Sequence, residues 1–284
     1  MIVPGIGKIV EGINSVNSAI DSNRAEKVIF LESDKTTSHR LELLIDKAKN
    51  KWLIVEKISK KDSWTYNNRH LVVALCTPKK TYDEKTFDQL TLSNIVVLDH
   101  IQDTNNLGAI TRTASAFDFN IVCIPKKRSV NISERTFAIS SGGLENVNIV
   151  FYNSIFSLIK KLKSLEYWTV GLDMNTKEDL LNVDLNNQKV ALFIGSEENG
   201  LSNEIQNKLD LIVKINMNNT VESLNASVAA AIAMNHFFKK SSWFNTDFAI
   251  ILLFAGVAQW PEQPTCNRQV RGSTPLSGSE WLNM

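Results

Sequence analysis

Three short polar clusters, each at the point where a hydrophobic run gives way to a helical pattern, hold the residues best suited to chemistry in this chain. In "DHIQDTNNLGAITRTASAF", residues 99–117, Asn105 and Asn106 stand at a strand-to-helix junction, Gly108 permits close backbone approach, and Arg112 follows about one turn into the helix. An arginine there can grip a phosphate or carboxylate through two parallel hydrogen bonds. In "ALFIGSEENGLSNEI", residues 191–205, Gly195 ends the hydrophobic run, Glu197 to Gly200 form a turn, and Ser202 suits the cap of the next helix. Such an acidic loop can bind the amino or hydroxyl groups of a small ligand. In "TVESLNASVAAAIAM", residues 220–234, Ser223 and Asn225 suit helix caps worth about 1 kcal/mol, and the alanines behind them let another backbone pack closely. Taken singly, each cluster is explained more readily by capping, turn formation or close packing than by ligand binding.

Short β-branched runs separated by amphipathic stretches supply the scaffold for these clusters. Over residues 1–78, "EGINSVNSAI" and "SHRLELLIDKAKN" read as helices, and "KVIFLE", "KWLIVE" and "LVVALC" as strands. This predicts a small α/β domain. Residues 79–93 are polar and are expected to link it to a second domain over 94–240. There, "NIVVLDHI", "NIVCIP", "NVNIVFY", "YWTVGLD", "KVALFIG" and "LIVKI" read as strands. Between and after them lie the helices "LGAITRTASAF", "NISERTFAISSGG", "SIFSLIKKLKSLE", "SNEIQNKLD" and an alanine-rich helix from Asn225 to Phe238. The pattern predicts a mostly parallel sheet covered on both faces. Asn131 and Glu134 have the spacing of a capping box. Loops at the carboxyl ends of such strands form the ligand crevice, and all three clusters fall there.

Composition narrows the partners. The 284 residues are 43% hydrophobic and 21% charged with a net charge of +1, so any nucleic acid must be met by local basic patches. Lys79, Lys80, Lys126, Lys127 and Arg128 are candidates for phosphate contacts, and Tyr66, Arg69 and His70 suit stacking on or hydrogen bonding to unpaired bases. Cys76, Cys123 and Cys266 lack paired spacing, which argues against a disulfide framework or a metal site and for the reducing cytoplasm. The opening "MIVPGIGKIVEG" lacks the basic head and apolar core of a secretory signal. Its glycines follow no strand and lack the third glycine of a dinucleotide fingerprint, so no Rossmann site is expected. Residues 241–284 read as an irregular tail. Its most apolar run, "FAIILLFAGVA", is shorter than the roughly 20 residues of a membrane span, and "GVAQWPEQPTCNRQVRGSTPLSG" resembles peptides translated through a tRNA gene.

Together, and in this order, "NNLGAITRTASAF", "LFIGSEENGLS" and "VKINMNNTVESLNASVAAAIAM" resemble the three motifs of the SpoU (TrmH) RNA ribose 2'-O-methyltransferases of the SPOUT superfamily. "VEGINSVNSAI" and "LVVALCTP" are similar to the ribosomal-protein-like substrate-binding domain that precedes the catalytic domain in rRNA-modifying members. Members that methylate a guanosine of 23S rRNA are the most similar. The resemblance implies an α/β fold with a C-terminal trefoil knot, a homodimer, and S-adenosylmethionine as cofactor without a metal. It places Gly195, Ile215 and Leu224 at the cofactor and Asn106, Arg112, Glu197, Ser223 and Asn225 at the polar active-site positions.

The implied reaction moves a methyl group from a sulfonium to a ribose oxygen, so the protein must position the hydroxyl and assist loss of its proton. The family's arginine at the Arg112 position is assigned a base-like role. Arginine stays protonated in proteins, so binding an RNA phosphate and stabilising the developing alkoxide is the better expectation, with Asn106, Ser223 or water aiding proton departure. Three residues depart from the family pattern: Asp118 and Asn219 where glycine is common, and Asn216 where proline often precedes the methionine. Asn216 is expected to loosen the cofactor loop. A tRNA ribose methyltransferase, or a noncatalytic RNA-binding protein on the same scaffold, are the alternatives.

Overall fold

Hydrogen bonding sorts the strands into two sheets. The structure is a computed structural model that describes residues 5–32, 38–59, 63–67, 69–90, 93–127, 132–186, 188–196, 200–218, 220 and 223–238. Glu197, Arg128, Asn131, Asn219 and the tail after residue 240 lie outside the described residues. Among those described, no helix is long and apolar enough to cross a membrane.

The first sheet contains β1 (Ile9–Glu11), β2 (Ala25–Leu31), β3 (Ile54–Ile58) and β4 (Val72–Cys76), in the order β1-β4-β2-β3. Strand β4 runs antiparallel to both neighbours, whereas β2 and β3 are parallel. That parallel crossover is made by α2 (His39–Asn50), whose buried Leu41, Leu44, Ile45 and Ala48 recur at helical spacing. Helix α1 (Ile13–Asp21) buries Val16, Ala19 and Ile20 in the same core.

The second sheet is parallel throughout, in the order β11-β9-β10-β6-β7-β8-β5. Its strands are β5 (Tyr82–Asp83), β6 (Ile95–Leu98), β7 (Ile121–Pro125), β8 (Asn148–Tyr152), β9 (Tyr167–Leu172), β10 (Lys189–Ile194) and β11 (Leu211–Val213). Strands β6 and β7 are buried along their whole length, as their unbroken β-branched runs require of a sheet covered on both faces. Helices α3 (Thr104–Ala116) and α8 (Ala226–Phe238) pack on one face and α6 (Ile155–Ser164) on the other.

Three stretches differ from the sequence expectation. Residues 79–93 are not simply a polar connection: Tyr82–Asp83 adds β5 to the sheet edge, and Glu84–Gln89 forms a 3-10 helix capped by a reciprocal Asp83–Thr86 box. Phe87, fully buried, is the anchor that pulls this segment onto the sheet. The helix expected over 131–143 breaks at Ser141 and Gly142, both left-handed, into α4 (Glu134–Ser140) and the single turn α5 (Gly143–Asn146). Its described cap is a Ser133–Thr136 box. The helix after Ser202 is one turn only, α7 (Asn203–Gln206). Asp210 then accepts hydrogen bonds from the Thr169 amide and hydroxyl, which draws the chain into β11.

The two sheets share one continuous hydrophobic core. At its polar centre, Arg24 Nη1 donates to both oxygens of Glu145 at 2.7 and 2.8 Å, with the Glu145 side chain fully buried. The same guanidinium donates to the carbonyls of Gly7 and Thr77 and lies 5.7 Å from the Phe137 ring centroid. Lys79 Nζ donates to the Glu145 carbonyl at 2.8 Å, and Ser15 Oγ to the Phe137 carbonyl at 2.8 Å. Burial lowers the Lys79 pKa against the opposing pull of Glu145. Gly142 is required here, because a Cβ on it would stand 2.1 Å from Ser18 Oγ. Removing one partner of such a buried pair strands the other charge, a cost of about 3–5 kcal/mol, whereas apolar replacement of both is often nearly neutral. Urea denaturation of Glu145→Gln and Arg24→Ala is therefore expected to show losses of that order, with Arg24→Met/Glu145→Leu recovering most of the stability. Single variants as stable as the wild type would show that the pair does not hold the sheets together.

Candidate functional site

A cavity of about 360 Å³ opens at the carboxyl ends of β9, β10 and β11. Its apolar wall comes from Leu172, Ile194, Val213, Ile215 and Leu224, and its polar atoms from Asp173, Asn175, Ser196, Lys214 and Ser223 among others. That volume and mixture fit a small-molecule site, in which apolar walls hold the body of a ligand and a few polar groups orient it. Gly195 sits where the chain folds tightly back on itself: Gly200 N donates to Ser196 O at 2.9 Å, and a Cβ on Gly195 would meet Gly200 C at 2.1 Å and Leu201 N at 2.4 Å. Those obstacles are backbone, so no side chain can move aside to admit a larger residue.

The residues of the third cluster close the same cavity. Asn225 Oδ1 accepts from Ser227 N at 2.9 Å, capping α8, while Ser223, Leu224, Ala226 and Ala229 line the wall. Further along the helix, Ala230, Ala233 and Met234 are buried in the core. Asn216 does not leave its loop slack. Its amide donates to Asp179 Oδ2, and the other Asp179 oxygen accepts from Leu181 N, so the segment after β11 is tied to a 3-10 turn. Asp118 adopts φ 57, the left-handed conformation that favours glycine and that aspartate tolerates better than most side chains.

The first cluster follows β6, the neighbour of β10. Asp103, not an asparagine, caps α3 by accepting from Asn105 N at 2.9 Å. Asn106 is buried in the first turn, and Arg112 is exposed beyond the second turn, later than the sequence suggests. They are six positions apart, which is about 9 Å along the axis and a different helix face. Neither lines the cavity of the third cluster. Gly195, Ile215, Ser223 and Leu224 are thus brought together, with Asn225 beside them, while Asn106 and Arg112 form a separate arm on α3 and Glu197 lies outside the described residues.

Several groups at this end of the sheet escaped the sequence reading. Asp99, nearly buried, accepts from or is bridged by His100 Nδ1 at 2.8 Å, and its backbone N–H donates to Ile194 O at 2.8 Å. His100 holds φ 57. Asp173, Met174 and Asn175 form a rim of the cavity that no motif marked. The left-handed histidine carries no sequence signal, although strand-end placement of Asp173 was foreseeable from the sheet rule. Of the basic candidates, Lys79 is committed to the Glu145 carbonyl and is unavailable to RNA, whereas Lys126 and Lys127 are exposed. Burial raises the Cys76 thiol to about 11 and pushes Cys123 up further, which leaves neither as a nucleophile near neutral pH. Gly195→Ala is expected to cost about 2 kcal/mol through overpacking, seen as a Tm loss of roughly 4–8 °C. Gly200→Ala, with no atom within 4 Å of the new Cβ, meets only left-handed strain and should lose less in the same calorimetric scan. Equal losses would rule out the close crossing at Gly195 as the cause.

Residues 93–235 match the SpoU rRNA Methylase family. A protein of Staphylococcus aureus strain MSSA476, assigned to the TrmH family of tRNA/rRNA methyltransferases, is 32% identical over 243 residues, covering 82% of this chain and 96% of its own. A Staphylococcus haemolyticus protein of the same assignment is 31% identical over 242 residues, covering 82% and 95%. Among solved structures, the SpoU methyltransferase AviRb from Streptomyces viridochromogenes, in complex with AdoMet, superposes with a TM-score of 0.66 at 20% identity, over 81% of this chain and 89% of that one. An AdoMet-bound rRNA methyltransferase from Sinorhizobium meliloti gives 0.65 at 20% identity, over 80% and 85%. These likenesses account for the parallel α/β sheet and, with the sequence matches, show that the chain belongs to the SpoU/TrmH family of RNA methyltransferases.

Proposed function

We propose that this protein methylates a ribose 2'-hydroxyl of RNA, with a guanosine of 23S rRNA as its target and S-adenosylmethionine as methyl donor. The observation that carries the reading is the cavity beside the Gly195–Gly200 turn, where residues of the second and third motifs meet at the strand ends. Its apolar wall suits a flat aromatic base, and the backbone groups around Gly195, Ile215 and Leu224 suit the polar edges of a nucleoside. When bound, S-adenosylmethionine supplies a methyl group already activated by the sulfonium charge. The protein's task is then to seat the ribose and to stabilise oxygen as its proton departs.

In this reading Ser223 and Asn225 hold the reacting end of the cavity, Glu197 adds a carboxylate to the polar active-site set, and Asn106 and Arg112 receive the RNA from α3. Arg112 is exposed and has no hydrogen-bond or ion-pair partner among the described residues, so its guanidinium is free to grip a phosphate through a fork. Residues 1–78 serve as the RNA substrate-binding domain and 94–240 as the methyltransferase domain, joined through 79–93. Membership of the SpoU/TrmH family supports a trefoil knot in the C-terminal part. Val228 and Ile232, exposed on α8, support a homodimer through that helix. A cytoplasmic location follows from an rRNA substrate.

The test is transfer of labelled methyl from S-adenosylmethionine to unmodified 23S rRNA and to unmodified tRNA, with the product examined for an alkali-resistant linkage. Label in rRNA that survives alkali is expected; label in tRNA alone would replace the target, and none in either would favour a noncatalytic RNA-binding protein. Arg112→Ala should lower kcat/KM by about 100-fold or more, the loss typical of a group that stabilises developing charge. Arg112→Lys keeps the charge and loses the fork, so near-normal turnover of that variant would reject the bidentate role.

A further inference from the structure

Two adjoining cavities, of about 510 and 560 Å³, lie between the first sheet and α4, away from the cavity of the third cluster. Arg69, His70 and Ala138 line both, so they form one cleft. We propose that this cleft binds an unpaired nucleotide of the substrate RNA flanking the methylated one, with Arg69 and Arg135 on its phosphates and His70 against its base. The inference rests on the RNA-methyltransferase reading and adds a subsite to it.

The charges in the cleft favour an anionic backbone. Arg69 and Arg135 are exposed, and the Arg69 guanidinium has no hydrogen-bond or ion-pair partner among the described residues. Two carboxylates share the cleft, and both are engaged. Glu32 pairs with Lys57 at 2.5 Å, and Glu11 Oε1 accepts from Asn67 N at 3.3 Å. The imidazole of His70 lies beside Gly12. Gly12, at φ 89, passes so close that a Cβ there would stand 3.1 Å from His70 Nδ1. A half-buried ring at the wall of an open cleft offers a face or an edge to a base.

The cleft also leads to the proposed active site. Arg135 Nη2 donates to Asn105 Oδ1 at 3.1 Å, and Asn105, which lines the cleft, precedes Asn106 at the start of α3. RNA lying along the cleft therefore reaches the strand ends by way of α3. Volume, positive charge and an aromatic wall together match single-stranded nucleic acid, for which backbone neutralisation and base stacking supply the affinity.

Binding of transcribed 23S rRNA and tRNA, both unmodified, is to be measured at several salt concentrations for wild type, Arg69→Ala, His70→Ala and Arg69→Ala/Arg135→Ala. The double variant is expected to bind the preferred RNA about tenfold or more weakly and to lower the salt slope by about two. His70→Ala should weaken binding through loss of the ring that faces the base. S-adenosylmethionine affinity, measured by calorimetry on the same proteins, should be unchanged, which separates the effect from misfolding. Photo-crosslinking with 4-thiouridine in the RNA should mark the peptide holding Arg69 and His70. Wild-type affinity and slope in the double variant, or crosslinks confined to other surfaces, would overturn the cleft while leaving methyl transfer by the wild type intact. Absence of methyl transfer to either RNA by the wild type would instead overturn the parent reading, and absence of RNA binding would overturn both.

Discussion

The buried contact between Arg24 and Glu145, 121 residues apart in the chain, is the constraint on which the geometry between the two sheets depends. Its ions lie in a setting where desolvation is costly, so the pair is a poor source of net stability. Its value is in register. A guanidinium held by Glu145, Gly7 and Thr77 accepts few alternative arrangements, and Ser15 and Lys79 add bonds that run in the same direction across the interface. The close fits of Gly7 on Phe137 and Gly142 on Ser18 would be lost in any other docking. An apolar interface of equal area would carry fewer directional contacts to fix that docking.

That register matters because the cleft exists only between the docked parts. Arg69 and His70 come from the segment before β4, whereas Arg135 and Asn105 come from α4 and α3. The same α4 carries Phe137, against which Arg24 and Gly7 pack. One face of this short helix is thus fixed by the polar core while another lines the cleft. A rigid connection of this kind converts RNA binding on the first sheet into placement at α3, which a loose linker would not do.

Much of the second sheet was legible because its strands are buried on both faces, and β-branched runs such as "NIVVL" and "NIVCIP" admit few other readings. The cavity residues were legible for another reason: Gly195 and the 223–225 turn lie at strand and helix ends, where backbone groups are free. The segment 79–93 misled because Phe87 is one buried anchor in a polar stretch, too little for a periodic signal. Asp103 caps α3 two residues before Asn105 because several short polar side chains in this run can open a helix, and local sequence does not choose among them. The break at Ser141–Gly142 follows from the passage of α1 over that turn, a tertiary demand that no local window contains.

The departures from the family pattern show how such substitutions are absorbed. Proline at position 216 would stiffen the loop after β11 by fixing its backbone and reducing the freedom of the unfolded chain. Asn216 has no such effect on φ, yet its amide reaches Asp179, which also caps the turn at Leu180–Asn182. A side-chain hydrogen bond therefore takes over part of what a ring constraint would do, and it joins the loop to a second element that a proline would leave unconnected. Asp118 follows the opposite logic: it keeps the left-handed turn after α3 at the expense of some backbone strain and leaves the helix direction unchanged. Asn216 therefore supports the loop beside the cavity, whereas Asp118, at the amino end of β7, touches none of the groups that line it.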